Sequence, residues 1–237
     1  SLALGSDNLR FNLGERFFDL ESRILTHRSD LEYKASDKYT HNIGLDIQWR
    51  KFKLDILLPN SADGGGVNSA SGNDTFAEIE GETLDSALYL RNRIKLNSKL
   101  SLSPNFRIDY LSSTQEYYLS PRLSTTYSLS NTLNFNFATG LYYQGPQDGE
   151  ANEDFGNPDI EAEKALHIYV SASKDFRAGS SKGLTLEIGS FYKVLDNLIT
   201  NTSEQKSDGT NLRYNNDGEG TVKGVQLLGS YKFSEYT

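Results

Sequence analysis

The 237-residue sequence contains no cysteine and no methionine, and only one tryptophan and five prolines. Without cysteine the chain forms no disulfide, offers no thiolate to a metal and has no thiol nucleophile. It also lacks any run of about 18 uncharged apolar residues, the length needed for a transmembrane helix. Disulfide scaffolds, thiol enzymes and helical membrane proteins are therefore excluded as classes.

Basic residues are also in short supply. Lys and Arg total 24 against 32 Asp and Glu, which gives a net charge of -8. Nucleic-acid binding relies on clustered Lys and Arg that contact phosphates, so this balance argues against nucleic acid as the main partner. Apolar residues make up 36%, below the roughly 45–50% of ordinary globular domains. A large soluble core is thus difficult to build.

What the sequence does have is a regular alternation of apolar and polar residues. Leu133, Phe135 and Phe137 fall on one face of an extended chain, while Asn134 and Asn136 fall on the other. A helix would mix these two sets because its period is 3.6 residues. The same alternation recurs along the chain and predicts ten β-strands. They cover residues 7–16, 22–33, 39–58, 76–97, 99–111, 117–129, 132–144, 164–177, 182–198 and 213–233.

The alternation changes phase inside the third predicted strand. Apolar positions are odd-numbered up to Trp49 and even-numbered from Phe52 to Leu58. A β-bulge near Arg50–Lys51 and a tight turn at that point would both explain the change. The bulge is preferred because a turn would disturb the order of the connections.

The connections between the predicted strands alternate in length. Short polar ones near 34–38, 98, 130–131 and 178–181 separate mostly longer ones near 59–75, 112–116, 145–163 and 199–212. Outer-membrane barrels have short periplasmic turns and longer extracellular loops. Most predicted strands have 11 residues or more, whereas a membrane-crossing strand needs about 9–11 and a soluble sandwich uses about 5–6. The predicted fold is therefore an all-β, antiparallel transmembrane β-barrel over residues 1–237.

Two tyrosine pairs near the ends of predicted strands support this fold. Tyr117–Tyr118 and Tyr142–Tyr143 suit an aromatic girdle at the level of the lipid headgroups. The alternative explanation is that aromatic residues simply favour strands.

Two stretches resemble the TonB-dependent receptors, the energised importers of the bacterial outer membrane. The first contains Pro121–Arg122 at the opening of a strand, residues 140–146 ending at Pro146, and residues 157–164 with the sequence Asn-Pro-Asp-Ile-Glu-Ala-Glu-Lys. The family pattern has Asn-Pro-Asp/Asn-Leu-x-x-Glu in the last segment, so Ile160 replaces a leucine and Ala162 stands where proline is common.

The second stretch runs from Tyr214 to Leu227. Its pattern Asn216-x-Gly218-x-Gly220-x-Val222-x-Gly224-Val225-Gln226-Leu227 is similar to the family's Asn-x-Gly-x-Ala-x-x-x-Gly-Val-Glu-Leu strand. Here Gln226 replaces the usual glutamate. The order and spacing of the two stretches make the combination more specific than either motif alone.

The resemblance implies a 22-stranded barrel whose lumen is filled by an N-terminal plug. The ten predicted strands would form one segment of that wall, with no plug domain in residues 1–237. The implied partners are outer-membrane lipid, the rest of the barrel and its plug, the TonB complex acting through the plug, and a small-molecule ligand. Haem is disfavoured, because residues 147–156 contain no histidine where haem receptors of the family carry a ligating one.

Candidate residues for chemistry are few. His27, His41 and His167 are far apart in sequence and fit no metal-binding spacing. The acidic loop that includes Asp148, Glu150, Glu153 and Asp154 is expected to be a solvated external loop rather than a Ca²⁺ site. Gly64–Gly66 lack the Lys-Ser/Thr of a phosphate loop, and no GxSxG motif is present. No catalytic, cofactor-binding or metal-binding residues are predicted, and enzymatic activity is not expected.

Five basic residues share the polar face of neighbouring strands: Arg91, Arg93, Lys95, Arg107 and Arg122. In a complete receptor this set could contact the plug or attract an anionic ferric siderophore. The preferred expectation is that they pair with acids of the lumen such as Asp109 and Glu187.

Three functions follow as hypotheses. The first is part of a TonB-dependent receptor that imports a scarce nutrient such as a ferric siderophore. The second is a small passive porin or structural outer-membrane barrel. The third is a soluble β-sandwich that binds a ligand.

Overall fold

The computed structural model describes residues 1–13, 16–59, 74–147, 149–151, 156–177, 182–204 and 213–233. Within these ranges the regular structure consists of ten strands, which form one sheet in chain order. They are β1 (Leu2–Leu13), β2 (Arg16–Lys34), β3 (Tyr39–Pro59), β4 (Asp74–Lys95), β5 (Leu100–Leu111), β6 (Glu116–Ser130), β7 (Leu133–Gln144), β8 (Glu163–Asp175), β9 (Gly183–Asn201) and β10 (Tyr214–Lys232). The residue pairings of β1 with β2, and of each neighbouring pair from β5 to β10, are antiparallel. The predicted all-β, antiparallel fold is confirmed.

No helix in the described residues is long and apolar enough to cross a membrane.

The two N-terminal strands differ most from their predicted bounds. The first pairing includes Leu9 with Leu20 and Phe11 with Phe18, so β1 ends at Leu13 and β2 begins at Arg16. The prediction was wrong here because Phe17 and Phe18 are adjacent and give no alternating signal. The connection between β1 and β2 has only two residues. Because the predicted β2–β3 connection is short, alternation of short and long connections would require the β1–β2 connection to be long. The strict alternation of short and long connections therefore fails at this point.

The third strand runs without interruption from Tyr39 to Pro59. This continuity excludes the tight turn that was the alternative explanation of the phase change near Arg50–Lys51. The β-bulge at that position stays a prediction.

The chain divides into two compact units. One comprises Ser1–Ser29 and Asp46–Ser86, and the other comprises Asp30–Leu45 and Ala87–Thr237. The second unit contains β5 to β10 entire. The expectation that residues 1–237 form one barrel segment without a plug stays a prediction.

In the second unit, large apolar side chains lie outside and small or polar ones are buried. One row of paired residues crosses six strands through Leu100, Tyr127, Phe135, Ala172, Ile188 and Leu227. Every member is apolar, and Ile188 and Leu227 are 56% and 74% exposed. By contrast, Ser120 and Ser171 on the opposite face are buried. A water-soluble sandwich would show the reverse distribution, whereas the wall of a membrane barrel requires this one.

The predicted aromatic girdle is only partly present at Tyr117–Tyr118. Neighbouring residues of a strand point to opposite faces. Tyr117 is 72% exposed and its ring lies 5.0 Å from that of Tyr110 on the apolar face. Tyr118 is instead buried on the polar face.

Candidate functional site

The end of the connection between β7 and β8 contacts the polar face of the second unit. Residues 156–163, which end with the first residue of β8, are called the anchored segment below. Asn157 is buried and uses all of its polar groups. Its Oδ1 accepts the Asp159 N–H at 3.0 Å, its Nδ2 donates to the Tyr214 carbonyl at 3.0 Å, and its N–H donates to the Glu150 carbonyl at 2.7 Å. A turn closes where the Ile160 N–H donates to the Asn157 carbonyl at 3.2 Å.

Asn216 of β10 holds the middle of the anchored segment. Its Oδ1 accepts the Glu161 N–H at 2.8 Å, and its Nδ2 donates to the Glu161 carbonyl at 3.1 Å and to the Asn197 carbonyl at 3.0 Å. Asn197 returns a hydrogen bond from Nδ2 to Glu161 Oε2 at 2.9 Å. Asn197 has φ of 55°, a left-handed conformation that asparagine tolerates better than most residues. Asn216, Asn197 and Glu161 therefore form one closed network that joins side-chain and backbone groups.

Tyr118 of β6 holds the end of the anchored segment. Its hydroxyl accepts the Ala162 N–H at 3.3 Å and lies 2.9 Å from Glu116 Oε2. Its ring packs against that of Tyr143, with centroids 4.9 Å apart. Ile160 and Ala162 become almost fully buried. The anchored segment is thus fastened to β6, β9 and β10 on the polar face.

Of the acidic loop, Asp159 and Glu161 are exposed and Glu150 and Glu163 are half-buried, and the expectation that the loop is not a Ca²⁺ site stays a prediction. Asp148, Glu153 and Asp154 lie outside the described residues. Glu150 Oε2 accepts the Gln147 N–H at 2.6 Å and Glu163 Oε1 accepts the Ile199 N–H at 3.0 Å. These two carboxylates and that of Glu161 accept hydrogen bonds from the chain itself. Across the described ranges, no group of three or more His, Asp or Glu side chains could hold a metal ion.

The predicted basic set separates into paired and unpaired members. Arg91 Nη2 lies 2.6 Å from Asp30 Oδ1, and Arg107 Nε lies 2.8 Å from Asp109 Oδ1. The expected pairing with Asp109 is confirmed. The expected pairing with Glu187 is wrong, because Glu187 Oε1 accepts the hydroxyl of Tyr169 at 2.8 Å. Arg93, Lys95 and Arg122 form no ion pair within the described part of the chain.

The three histidines do not share a site. His27 Nε2 lies 2.7 Å from Ser29 Oγ in the first unit. In the second unit, His41 Nδ1 lies 2.7 Å from Asn92 Oδ1. His167 stacks on Tyr142 with ring centroids 4.5 Å apart.

Charged pairs also cross the strands of the first unit. Arg10 pairs with Asp19 and Arg28 pairs with Asp46. The Trp49 indole N–H donates to Glu82 Oε1 at 2.6 Å. A shallow cavity of about 210 Å³ is lined by Glu21, Arg23, Lys51, Phe52, Lys53 and Glu80. Its charges are mixed, so it selects no ligand of one sign.

Comparison with known proteins decides the family. The model of the family described as "TonB dependent receptor-like, beta-barrel" matches residues 2–237. The chain belongs to the TonB-dependent receptor β-barrel family. Proteins with this barrel lie in the bacterial outer membrane, and so does this receptor segment. No protein of curated function matches the chain by sequence.

Solved structures of similar fold include siderophore receptors, an outer membrane transporter and a peptide importer. The siderophore receptor PirA from Pseudomonas aeruginosa has a TM-score of 0.68 at 18% identity, over 95% of this chain and 42% of that chain. The outer membrane transporter YddB from Escherichia coli has a TM-score of 0.64 at 16% identity, over 91% and 31%. The RagAB peptide importer has a TM-score of 0.60 at 13% identity, over 90% and 28%. The chain spans less than half the length of each of these proteins.

Aromatic rings pack over glycines in this TonB-dependent receptor segment, and these contacts were not predicted from the sequence. A Cβ on Gly44 would lie 2.1 Å from the Tyr89 ring, and one on Gly189 would lie 2.4 Å from the Tyr169 hydroxyl. Such rings cover the backbone that a glycine leaves bare in a sheet. The Tyr169 hydroxyl also accepts a hydrogen bond from Gln226 Nε2 at 2.8 Å. Glycines at polar-face positions could have indicated such contacts in the sequence. Only the pairing register of the strands shows which ring covers which glycine.

Proposed function

We propose that the chain forms part of the wall of a TonB-dependent receptor that imports a scarce nutrient, such as a ferric siderophore. The anchored segment is the observation that supports this role most directly. It holds an external loop over the polar face through Tyr118, Asn197 and Asn216. A loop fixed in this way offers a preformed platform for a small ligand, because less conformational freedom is lost on binding.

The partners follow from the two faces of the sheet. The apolar face contacts outer-membrane lipid, and the polar face lines the lumen. The rest of the barrel and a plug domain would be contributed by parts of the receptor outside these residues, and TonB would act through that plug. The solved structures of similar fold include a siderophore receptor and a peptide importer, and the uptake experiment therefore compares both ligand classes.

A passive porin or structural barrel is not favoured. The family model covers the whole of residues 2–237, and every similar structure described above is a receptor, transporter or importer. An enzymatic role is not proposed, because the sequence contains no nucleophile motif such as GxSxG.

The importer role can be tested in cells that lack the gene. Under iron limitation we expect the deletion strain to lose uptake of one labelled ligand among ferric siderophores and peptides, and the restored gene to recover it. Dissipating the proton gradient should abolish the recovered uptake. Unchanged uptake of every ligand after deletion would contradict the proposal. Uptake that persists without the gradient would point to a passive pore.

A further inference from the structure

A row of basic residues crosses the polar face of the second unit, and within the described ranges none of them forms an ion pair. Pairing runs from Arg122 to Gly140, from Gly140 to His167, and from His167 to Lys193. The three basic residues therefore lie on one rung of β6, β8 and β9, with a glycine on β7 between them. With strands about 4.8 Å apart, the rung spans roughly 14 Å. This set is called the basic rung below.

Two side chains of the basic rung, Arg122 and His167, contact the Tyr142 ring, whereas the Lys193 ammonium lies 5.8 Å from the centroid of the Phe191 ring. The Arg122 guanidinium carbon lies 4.2 Å from the centroid of the Tyr142 ring, and the His167 ring stacks 4.5 Å from it. Gly140 is buried, and a Cβ there would lie 2.8 Å from Arg122 Cγ. The missing side chain lets Arg122 lean across β7 toward His167. The charges that act on His167 are those of Lys193 and Arg122, so three basic groups share one small region.

The neighbouring acids are engaged elsewhere. Glu163 accepts the Ile199 N–H, Glu187 accepts the Tyr169 hydroxyl, and Asp196 pairs with Lys164. Within the described residues, Arg122, His167 and Lys193 have no ion pair. Arg122 Nε is buried, and no group in the described part of the chain accepts a hydrogen bond from it. A buried charged donor without an acceptor is costly, and folded proteins seldom leave one unmatched.

We propose that Arg122, His167 and Lys193 bind a single oxyanion, such as a carboxylate, on the polar face of the sheet. Arg122 presents a fork of N–H donors, Lys193 a mobile ammonium, and His167 at least one ring N–H. The anion would satisfy Arg122 Nε and offset the repulsion along the rung. This site is independent of the importer proposal, because the anion would bind whatever the receptor transports.

The same chemistry has two possible sources: a dissolved anion, or an Asp or Glu side chain of a polypeptide that lies in the lumen. The test uses the full-length receptor in detergent with ¹⁵N-labelled histidine. Residues 1–237 contain three histidines, and a His167→Gln variant of the full-length receptor assigns the His167 signal among all of its histidines. Sodium acetate and inorganic phosphate are titrated separately at constant ionic strength. The variants are Arg122→Gln and Lys193→Gln. The control for general charge removal is Lys223→Gln, because Lys223 is exposed and its pairing with Tyr192 puts it on the apolar face, opposite to the rung.

A dissolved anion should give a saturable shift of the His167 signal. Affinity should fall roughly tenfold or more in Arg122→Gln and Lys193→Gln, and should be unchanged in Lys223→Gln. If a polypeptide carboxylate fills the site, added anions have no effect, but both rung variants lower the unfolding temperature and the control does not. The proposal is overturned if added anions have no effect and the rung variants keep or raise the unfolding temperature. That result would mean that the substitutions only relieve repulsion between cations.

Discussion

The side chain of Asn216 pairs with both backbone polar groups of Glu161, accepting its N–H at 2.8 Å and donating to its carbonyl at 3.1 Å. The two residues are 55 positions apart in the chain. The carboxamide thereby bonds both backbone groups of Glu161, as the backbone of a neighbouring strand would. This contact joins the two stretches by which the sequence resembles its family, and it explains why an asparagine suits the start of β10.

Replacing this asparagine should loosen the anchored segment. Asn216→Ala removes three hydrogen bonds, each with a net value of about 0.5–1.5 kcal/mol. We expect the free energy of local opening of residues 156–163 to fall by roughly 2 kcal/mol, which amide hydrogen exchange would measure. Asn215→Ala is the control, because Asn215 bonds Thr200 and Asp217 instead. Equal protection in Asn216→Ala and wild type would rule out the anchoring role.

The Tyr118 hydroxyl can be removed without its ring. Tyr118→Phe keeps the packing on Tyr143 but leaves the buried Ala162 N–H without its acceptor, a loss of about 1–2 kcal/mol. Limited proteolysis should then cut the β7–β8 loop faster than in wild type. Tyr117→Phe should have no effect, since Tyr117 lies on the apolar face. Identical cleavage rates for the two variants would contradict the assignment of the Tyr118 hydroxyl.

A methyl group on Gly189 should disturb the polar face. The Cβ of Gly189→Ala would lie 2.4 Å from the Tyr169 hydroxyl, which forces the ring away from Glu187 and Gln226. Overpacking of this kind costs about 1–3 kcal/mol, measurable as earlier unfolding in urea. Gly220→Ala should be tolerated, because its nearest atom would be 3.4 Å away. When Tyr169 is replaced by alanine, Gly189→Ala should reduce the free energy of unfolding only slightly. A reduction as large as in the wild-type background would show that a clash with the Tyr169 ring is not the cause.

A charge on the apolar face should oppose membrane insertion. Val170 is 49% exposed near the middle of β8. Val170→Lys should destabilise the protein folded in a lipid bilayer by about 2–4 kcal/mol, the cost of a lysine near the bilayer midplane. Equilibrium folding into lipid vesicles would measure this loss. Ser124→Lys is the control, because Ser124 is exposed on the polar face. A similar loss of stability in Val170→Lys and Ser124→Lys would contradict the assignment of Val170 to a lipid-facing side and Ser124 to a lumen-facing side.

The sequence by itself determined the strands and their faces. Side chains alternate along any extended chain, so the positions of Phe135, Phe137 and their polar neighbours identify a strand before any contact is known. The same regularity predicted that Arg91, Arg107 and Arg122 share a face. It failed at Phe17–Phe18, where two apolar residues are adjacent and only the pairing of Phe11 with Phe18 fixes the register.

Only the tertiary structure decided which residues meet across strands and loops. Alternation gives a residue its face but not its partner, because the partner depends on the hydrogen-bonded register of separate strands. Gly189 beneath Tyr169, Gly140 between Arg122 and His167, and Asn216 against Glu161 all depend on that register or on the path of a loop. The strands of the barrel wall and their two faces could thus be predicted from the sequence. The contacts that hold the anchored segment and bring the residues of the basic rung together form only when the chain folds.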